Sequence, residues 1–342
     1  MKLSFLTRQA AVAFAAITAV AVPAFAQDVN VYSSRHYDTD DALYAKFTEE
    51  TGITVNRIEA KADELIARMQ AEGDNSPADV LLTVDVGRMD RAESEGLLQA
   101  YTSDVIETRI PDHMEHPDNL WFGVSQRARI IFYAKDRVEN PPQTYEELAD
   151  PAWNGKVCIR SSSNIYNQSL MASLIEVHGE DVARDWGTGI VANMARDPQG
   201  GDTDQLRGIV SGECDVAVAN QYYFARGLEK DVDGLTSGID NIGWVWPNQD
   251  DRGTHVNLTT AAMLVNAPNP ENAMKLMEFL TSDFAQNYFA SQNNEYPAVA
   301  GLELDKEVKM MGDFKADTTT PTAAFSRNAG KAQAIFNEIN WD

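Results

Sequence analysis

Short β-branched runs and amphipathic stretches take turns along this chain, and that alternation admits few folds. Residues 28–33 alternate apolar and polar in the manner of a strand, and residues 40–51 put Leu43, Tyr44 and Phe47 on one helical face. A strand at 53–58, a helix at 62–71, a short apolar strand at 78–83 and a helix at 88–95 follow. This βαβαβα order implies a largely parallel sheet covered by helices. The second half repeats the logic. A long strand at 122–133 precedes a strand at 156–160, a serine-rich loop and a helix at 167–178. A strand at 215–219 leads to a helix near 222–228, a strand at 254–265 returns to the first sheet, and helices follow at 270–280 and 283–292.

Residues 1–26 read as an export leader. Lys2 and Arg8 precede an apolar run from Ala10 to Val22, and Ala24-Phe25-Ala26 is a small-x-small cleavage site, so the processed chain is expected to begin at Gln27. The run is short for a membrane span, and no other stretch approaches the ~18 apolar residues that a span needs. The expectation is an exported, soluble, periplasmic protein of 316 residues. That length exceeds one compact core. No internal repeat, Gly/Ser linker or low-complexity run separates the halves. Two α/β domains joined by strand-like crossovers are therefore expected, 27–123 with 254–300 and 124–253 with 301–342. Such a pair encloses a cleft and closes about a hinge.

The formal charge of −24 becomes −26 without Lys2 and Arg8. So acidic a surface repels nucleic acid and anionic lipid. It serves solubility, or a shuttle that meets a basic docking surface. The two cysteines, Cys158 and Cys214, form no CxxC. Both belong to the second half, where they are either one disulfide of an oxidising compartment or two buried thiols.

Enzyme signatures are missing: the sequence has no GxGxxG, P-loop, HExxH or GxSxG. His113 and His116 lie between Pro111 and Pro117 and read as solvated loop residues. The acidic run Asp38-Thr39-Asp40-Asp41 lacks the further oxygens of a calcium loop and reads as a helix cap. The tyrosines carry more information. Tyr37 follows the first strand, Tyr166 follows the strand at 156–160, and Tyr222 and Tyr223 follow the strand at 215–219. Ligands of open α/β sheets bind beyond the carboxyl ends of strands. These four rings are thus expected to converge on one cleft, although each alone is ordinarily a packed ring with its hydroxyl toward water.

A free phenol titrates near 10, so phenolate is scarce at neutral pH. A trivalent cation would displace the proton, as metals do for other ligands. Ferric iron, a hard acid, favours anionic oxygen, and helix N-termini at these junctions add to the stabilisation. Four phenolates around Fe(III) leave one negative charge for a guanidinium to balance. Arg127 and Arg129 lie two apart on one strand and so share a face. Arg127 is the leading candidate for the counter-charge, with Arg129 and Arg35 as others.

These residues resemble those of the periplasmic ferric-iron-binding proteins of bacterial ABC importers, the bacterial transferrins, and especially their tyrosine-rich cyanobacterial Fut type. The likeness runs through Val31-Tyr32-Ser33-Ser34-Arg35-His36-Tyr37, Ser76-Pro77-Ala78-Asp79-Val80, Val124-Ser125-Gln126-Arg127-Ala128-Arg129, 161–168 and Asn220-Gln221-Tyr222-Tyr223. The resemblance implies a two-domain periplasmic binding protein fold of type II, with a hinge and an interdomain cleft. It implies His36, Tyr37, Tyr166, Tyr222 and Tyr223 as metal residues, Fe(III) as the transported ligand with no other cofactor, and delivery to an ABC permease in the inner membrane; free diffusion to that permease favours a monomer. Some relatives place a glutamate soon after the Ser-Pro-Ala-Asp-Val stretch and add a bound anion; here Val84 stands at that place. That departure is similar to the tyrosine-only branch. His36 is either a ligand or a neighbour of the metal.

Two other functions compete with this reading. An organic solute such as a polyamine or thiamine would be held by aromatic walls, for which Trp121, Trp244 and Trp246 are candidates. A hydrolase would use Ser161, Ser162 or Ser163, yet no base stands beside them in sequence. The expectation is a binding protein and not an enzyme.

Overall fold

A computed structural model describes residues 28–35 and 40–342 of the protein. The expected leader, His36 and Tyr37 lie outside the described residues. Ten strands are present among those described: β1 (Asp28–Ser33), β2 (Thr54–Glu59), β3 (Val80–Thr83), β4 (Leu98–Gln99), β5 (Phe122–Ala134), β6 (Val157–Cys158), β7 (Val216–Asn220), β8 (Ile242–Val245), β9 (Val256–Leu264) and β10 (Tyr296–Pro297). Seven of them join in the order β2-β1-β3-β9-β5-β7-β6, with β4 paired to β9 and both β8 and β10 paired to β5.

The first lobe keeps the expected alternation of strands and helices, but its sheet is mixed where a largely parallel one was expected, because β9 pairs antiparallel with β3, β4 and β5. β1 pairs in parallel with β2 and β3, and β9 inserts antiparallel beside β3. Helices Asp40–Thr51, Ala62–Glu72 and Val86–Ser94 connect or follow these strands. β5 and β9 then carry the chain between lobes. Phe122–Ala128 of β5 pair with β9, whereas Arg129–Tyr133 pair with β7 and Ile131–Ala134 with β8. One strand thus belongs to both halves. One core gathers Val29, Val31, Phe47, Leu81, Phe122, Leu258 and Phe289. Two others gather residues of the second half, including Ile131, Leu170, Trp186, Val218 and Phe336, and Phe132, Leu206, Phe224 and Met311.

The boundaries differ from expectation where side chains replace backbone partners. The strand expected at 156–160 stops at Cys158. Beyond it, Asn167 Nδ2 donates to the carbonyls of Arg160 (2.7 Å) and Ser161 (3.2 Å), so these groups are satisfied without a ladder. The following helix, Ile165–His178, begins two residues earlier than expected because Asn164 caps it, accepting from the Tyr166 N–H at 3.0 Å. Asp85 likewise starts Val86–Ser94 early, accepting from Gly87 N at 2.9 Å.

Cys158 and Cys214 form a disulfide with a Cα–Cα distance of 5.8 Å. It joins the end of β6 to the entry of β7. Gly208 of helix Asp202–Ser211 lies against both sulfurs, where a Cβ would approach to 2.7 and 3.0 Å.

Candidate metal centre

Two helices begin beyond the carboxyl ends of β6 and β7, and each brings phenols to the lobe boundary. Tyr166 lies in the first turn of Ile165–His178, and Tyr222 and Tyr223 in the first turn of Gln221–Glu229. The hydroxyls of Tyr166 and Tyr222 are 3.2 Å apart. Tyr222 and Tyr223 stack with ring centroids 4.2 Å apart. Tyr222 is buried, while Tyr166 and Tyr223 are half-buried.

Cations surround these rings. The guanidinium carbons of Arg127, Arg129 and Arg160 stand 5.8, 5.9 and 5.7 Å from the centroid of the Tyr166 ring. Arg226, one turn on from the tyrosine pair, stands 5.7 and 5.8 Å from the rings of Tyr222 and Tyr223. Arg127 and Arg129 do share a face of β5, as their spacing predicts. Arg127 donates to Thr259 Oγ1 (2.8 Å) and the Leu258 carbonyl (3.2 Å) and lies 3.8 Å from Glu295. Arg129 is held by Asn167 Oδ1 (2.7 Å), Asn220 Oδ1 (3.1 Å) and Asp202 (3.2 Å). Arg35 sits elsewhere in this network. It is buried, paired with Asp40 at 3.1 Å and Glu295 at 3.4 Å, and stacked over Phe289.

Burial pushes the Tyr166 phenol up to about 12, and Tyr223 adds to the rise. The charge of Arg127 and the hydrogen bond with Tyr222 oppose it. Burial works against the charge of Arg160, but Asp202 and the phenols of Tyr223 and Tyr166 outweigh it and hold the guanidinium above its ordinary value. Buried donors remain beside the rings: Arg129 Nε, Arg160 Nε and Asn220 Nδ2 have no hydrogen-bond partner among the described residues. Arg127, Arg129, Tyr166, Asn220, His255 and Asn257 enclose a void of about 10 Å³.

Sequence reasoning missed Arg160, Asp202, Asn167 and Asn220. Asp202, fully buried, is the hub: it meets Arg129 and Arg160 and accepts from the Asn220 N–H at 2.9 Å. A signal existed for Arg160, which stands two residues past the end of β6 on the approach to Tyr166; none existed for Asp202, whose partners are distant in sequence.

Other candidates fall away from the cleft. Among the described residues no group of three or more His, Cys, Asp or Glu side chains is placed to hold a metal ion. Trp121 is buried in the first core, and Trp244 and Trp246 both donate to the Met311 carbonyl at 3.0 Å. None of the three lines the void beside Tyr166. Ser161 and Ser163 bond each other at 2.9 Å. His113 is exposed, but His116 is not the solvated residue expected: it is partly buried, 3.2 Å from Glu93 and packed edge-on against Trp121. A larger cavity of about 710 Å³ opens elsewhere, lined by Trp121, Gln126, Val256, Leu258 and Phe325. Strand alternation puts Gln126, Val256 and Leu258 on the opposite face of the crossover strands from Arg127 and Asn257.

Comparison with known proteins agrees with this architecture. The family model for bacterial extracellular solute-binding protein matches residues 75–325. Iron uptake protein A1 of Synechocystis is 50% identical over 320 residues, covering 93% of this chain and 89% of that protein. A Trichodesmium protein solved in complex with iron and citrate ligands superposes with a TM-score of 0.87 at 46% identity, covering 92% of this chain and all of that one. A ferric binding protein from Campylobacter jejuni superposes with a TM-score of 0.87 at 37% identity, covering 92% of this chain and all of that one. The fold is that of the type II periplasmic binding proteins. The chain belongs to the bacterial extracellular solute-binding protein family, and within it groups with the iron uptake and ferric iron-binding proteins.

Proposed function

We propose that this protein captures ferric iron between its lobes through tyrosine phenolates and delivers it to an ABC permease. Tyr166, Tyr222 and Tyr223 supply oxygens from the second lobe and Tyr37 supplies one from the first, with His36 beside it. Arg127 provides the counter-charge. The observation that carries this reading is the 3.2 Å approach of the Tyr166 and Tyr222 hydroxyls within a ring of guanidiniums. Two neutral phenols in contact are unexceptional. Two phenols that face several cations, beside buried N–H donors with no acceptor, suit a group of oxygens that becomes anionic when a metal arrives.

The chemistry follows from charge. A trivalent ion displaces phenol protons and holds hard anionic oxygens, so binding releases protons. Acid returns the protons, and reduction to Fe(II) weakens the match to hard oxygen, so either condition favours release. This is capture and not catalysis: the protein is a binding protein, as its relatives' names indicate. The division into 27–123 with 254–300 and 124–253 with 301–342 belongs to the same proposal, as do export through the leader at 1–26, a periplasmic location, the inner-membrane permease as partner and a monomeric state.

Purified protein loaded with a ferric salt is expected to turn red-brown from phenolate-to-iron charge transfer. Tyr222→Phe is expected to lose most of that absorbance. A wild-type protein that stays colourless and takes up no ferric iron would refute the proposal.

A further inference from the structure

One carboxylate spans the lobe boundary beside the phenols. Asp85 leaves β3 and caps helix Val86–Ser94 of the first lobe, where its Oδ1 accepts from Gly87 N at 2.9 Å. A cap needs only that one oxygen. The other oxygen, Oδ2, accepts from Ser169 Oγ at 2.6 Å and from Asn257 Nδ2 at 2.6 Å. Asn257 stands in β9, and its own Oδ1 accepts from the N–H groups of Val86 (3.1 Å) and Leu258 (2.8 Å). Asp85, Ser169 and Asn257 are all buried.

Ser169 belongs to the other lobe. It lies on helix Ile165–His178, whose Leu170, Met171 and Leu174 pack in a second-lobe core, while Val86 and Met89 beside Asp85 pack in the first. It follows Tyr166 by three residues, which places both on one side of the helix. Arg88 repeats the link nearby, donating to Gln168 Oε1 at 3.3 Å. Segment Ala323–Arg327 packs against both helices.

We infer that Asp85 is a positioning residue for the phenol site: it fastens the helix that carries Tyr166 to the first lobe, and so sets where the Tyr166 hydroxyl stands relative to Tyr222 and the cleft arginines. Hydrogen bonds of this length to a buried carboxyl oxygen are strong, and losing one of its donors is costly. The inference rests on the reading of Tyr166 as an iron ligand. Its physical core, the fastening itself, does not.

Ser169→Ala removes the cross-lobe donor and leaves the cap intact; Ser169→Thr keeps the hydroxyl. Ferric affinity is measured by competition with citrate, together with the visible band at saturation and amide hydrogen exchange over residues 165–169 in the iron-free protein. Ser169→Ala is expected to weaken ferric binding about tenfold with the saturated band retained, and to speed exchange at 165–169. Ser169→Thr is expected to match wild type in both. Affinity within twofold of wild type in Ser169→Ala, or a Thr variant as impaired as the Ala variant, overturns the inference. Should wild type take up no iron at all, the ligand reading has failed. Exchange then decides the fastening: faster in Ser169→Ala upholds it, and unchanged exchange removes it.

Discussion

Three guanidiniums stand around a single phenol ring, but only Arg127 eases the loss of its proton. Tyr166 is held near 12 because burial and Tyr223 outweigh the pull of Arg127 and the bond with Tyr222. At neutral pH the ring is therefore protonated, and a metal that takes the phenolate must expel one proton. Each such ligand makes affinity rise about tenfold per pH unit below its own pKa. Ferric affinity measured against a chelator across pH 5.5–8 is expected to fall steeply on acidification, and Tyr166→Phe to lower the slope of log affinity against pH by about one. An unchanged slope in that variant removes Tyr166 from the ligand set. Much at this scale was legible in advance. Tyr166, Tyr222 and Tyr223 each follow a strand and open a helix, so a periodicity reading brings them together. Asp202 was not legible. Its role comes from meeting Arg129, Arg160 and the Asn220 N–H across 73, 42 and 18 residues of sequence, and nothing local marks such a hub.

Elements were read well where one periodicity ran unbroken. Asp40–Thr51 and Pro270–Leu280 have the bounds their apolar spacing predicts. Helix Glu180–Asn193 was not among the expected elements, and it carries two glycines, Gly187 and Gly189, a residue type that weakens a helical pattern. Their real use is close approach: a Cβ on Gly189 would fall 2.7 Å from Ala149 Cβ. The disulfide also acts on elements. Cys158 ends the strand before Tyr166, and Cys214 precedes the strand before Tyr222 and Tyr223, so the bond pins together the roots of both tyrosine-bearing segments. Closing a loop of sequence separation 56 restricts the unfolded chain strongly. Replacing both cysteines by serine is expected to cost about 2–5 kcal/mol, read from the urea midpoint and slope. A midpoint equal to that of wild type would show that sheet pairing alone holds these roots.

On the scale of the whole molecule, the first lobe is completed by strands that its own opening residues do not contain. β3 has β1 on one side and β9 on the other, and the first part of β5 also leans on β9. A fragment of residues 28–134 holds β1, β2, β3, β4 and β5 but no β9. It is expected to show no cooperative urea transition, with the intact chain as control; a sharp two-state curve from the fragment would contradict this dependence. The crossover pairing was only half visible beforehand. A long strand at 122–133 and a return strand at 254–265 were expected, but that β5 changes partners between Ala128 and Arg129 depends on tertiary neighbours. This late insertion also dictates timing. A polypeptide that emerges amino end first carries its opening lobe unfinished until Leu264 has appeared, more than three quarters of the way along the chain. The opening lobe of such a chain therefore closes only late in its synthesis.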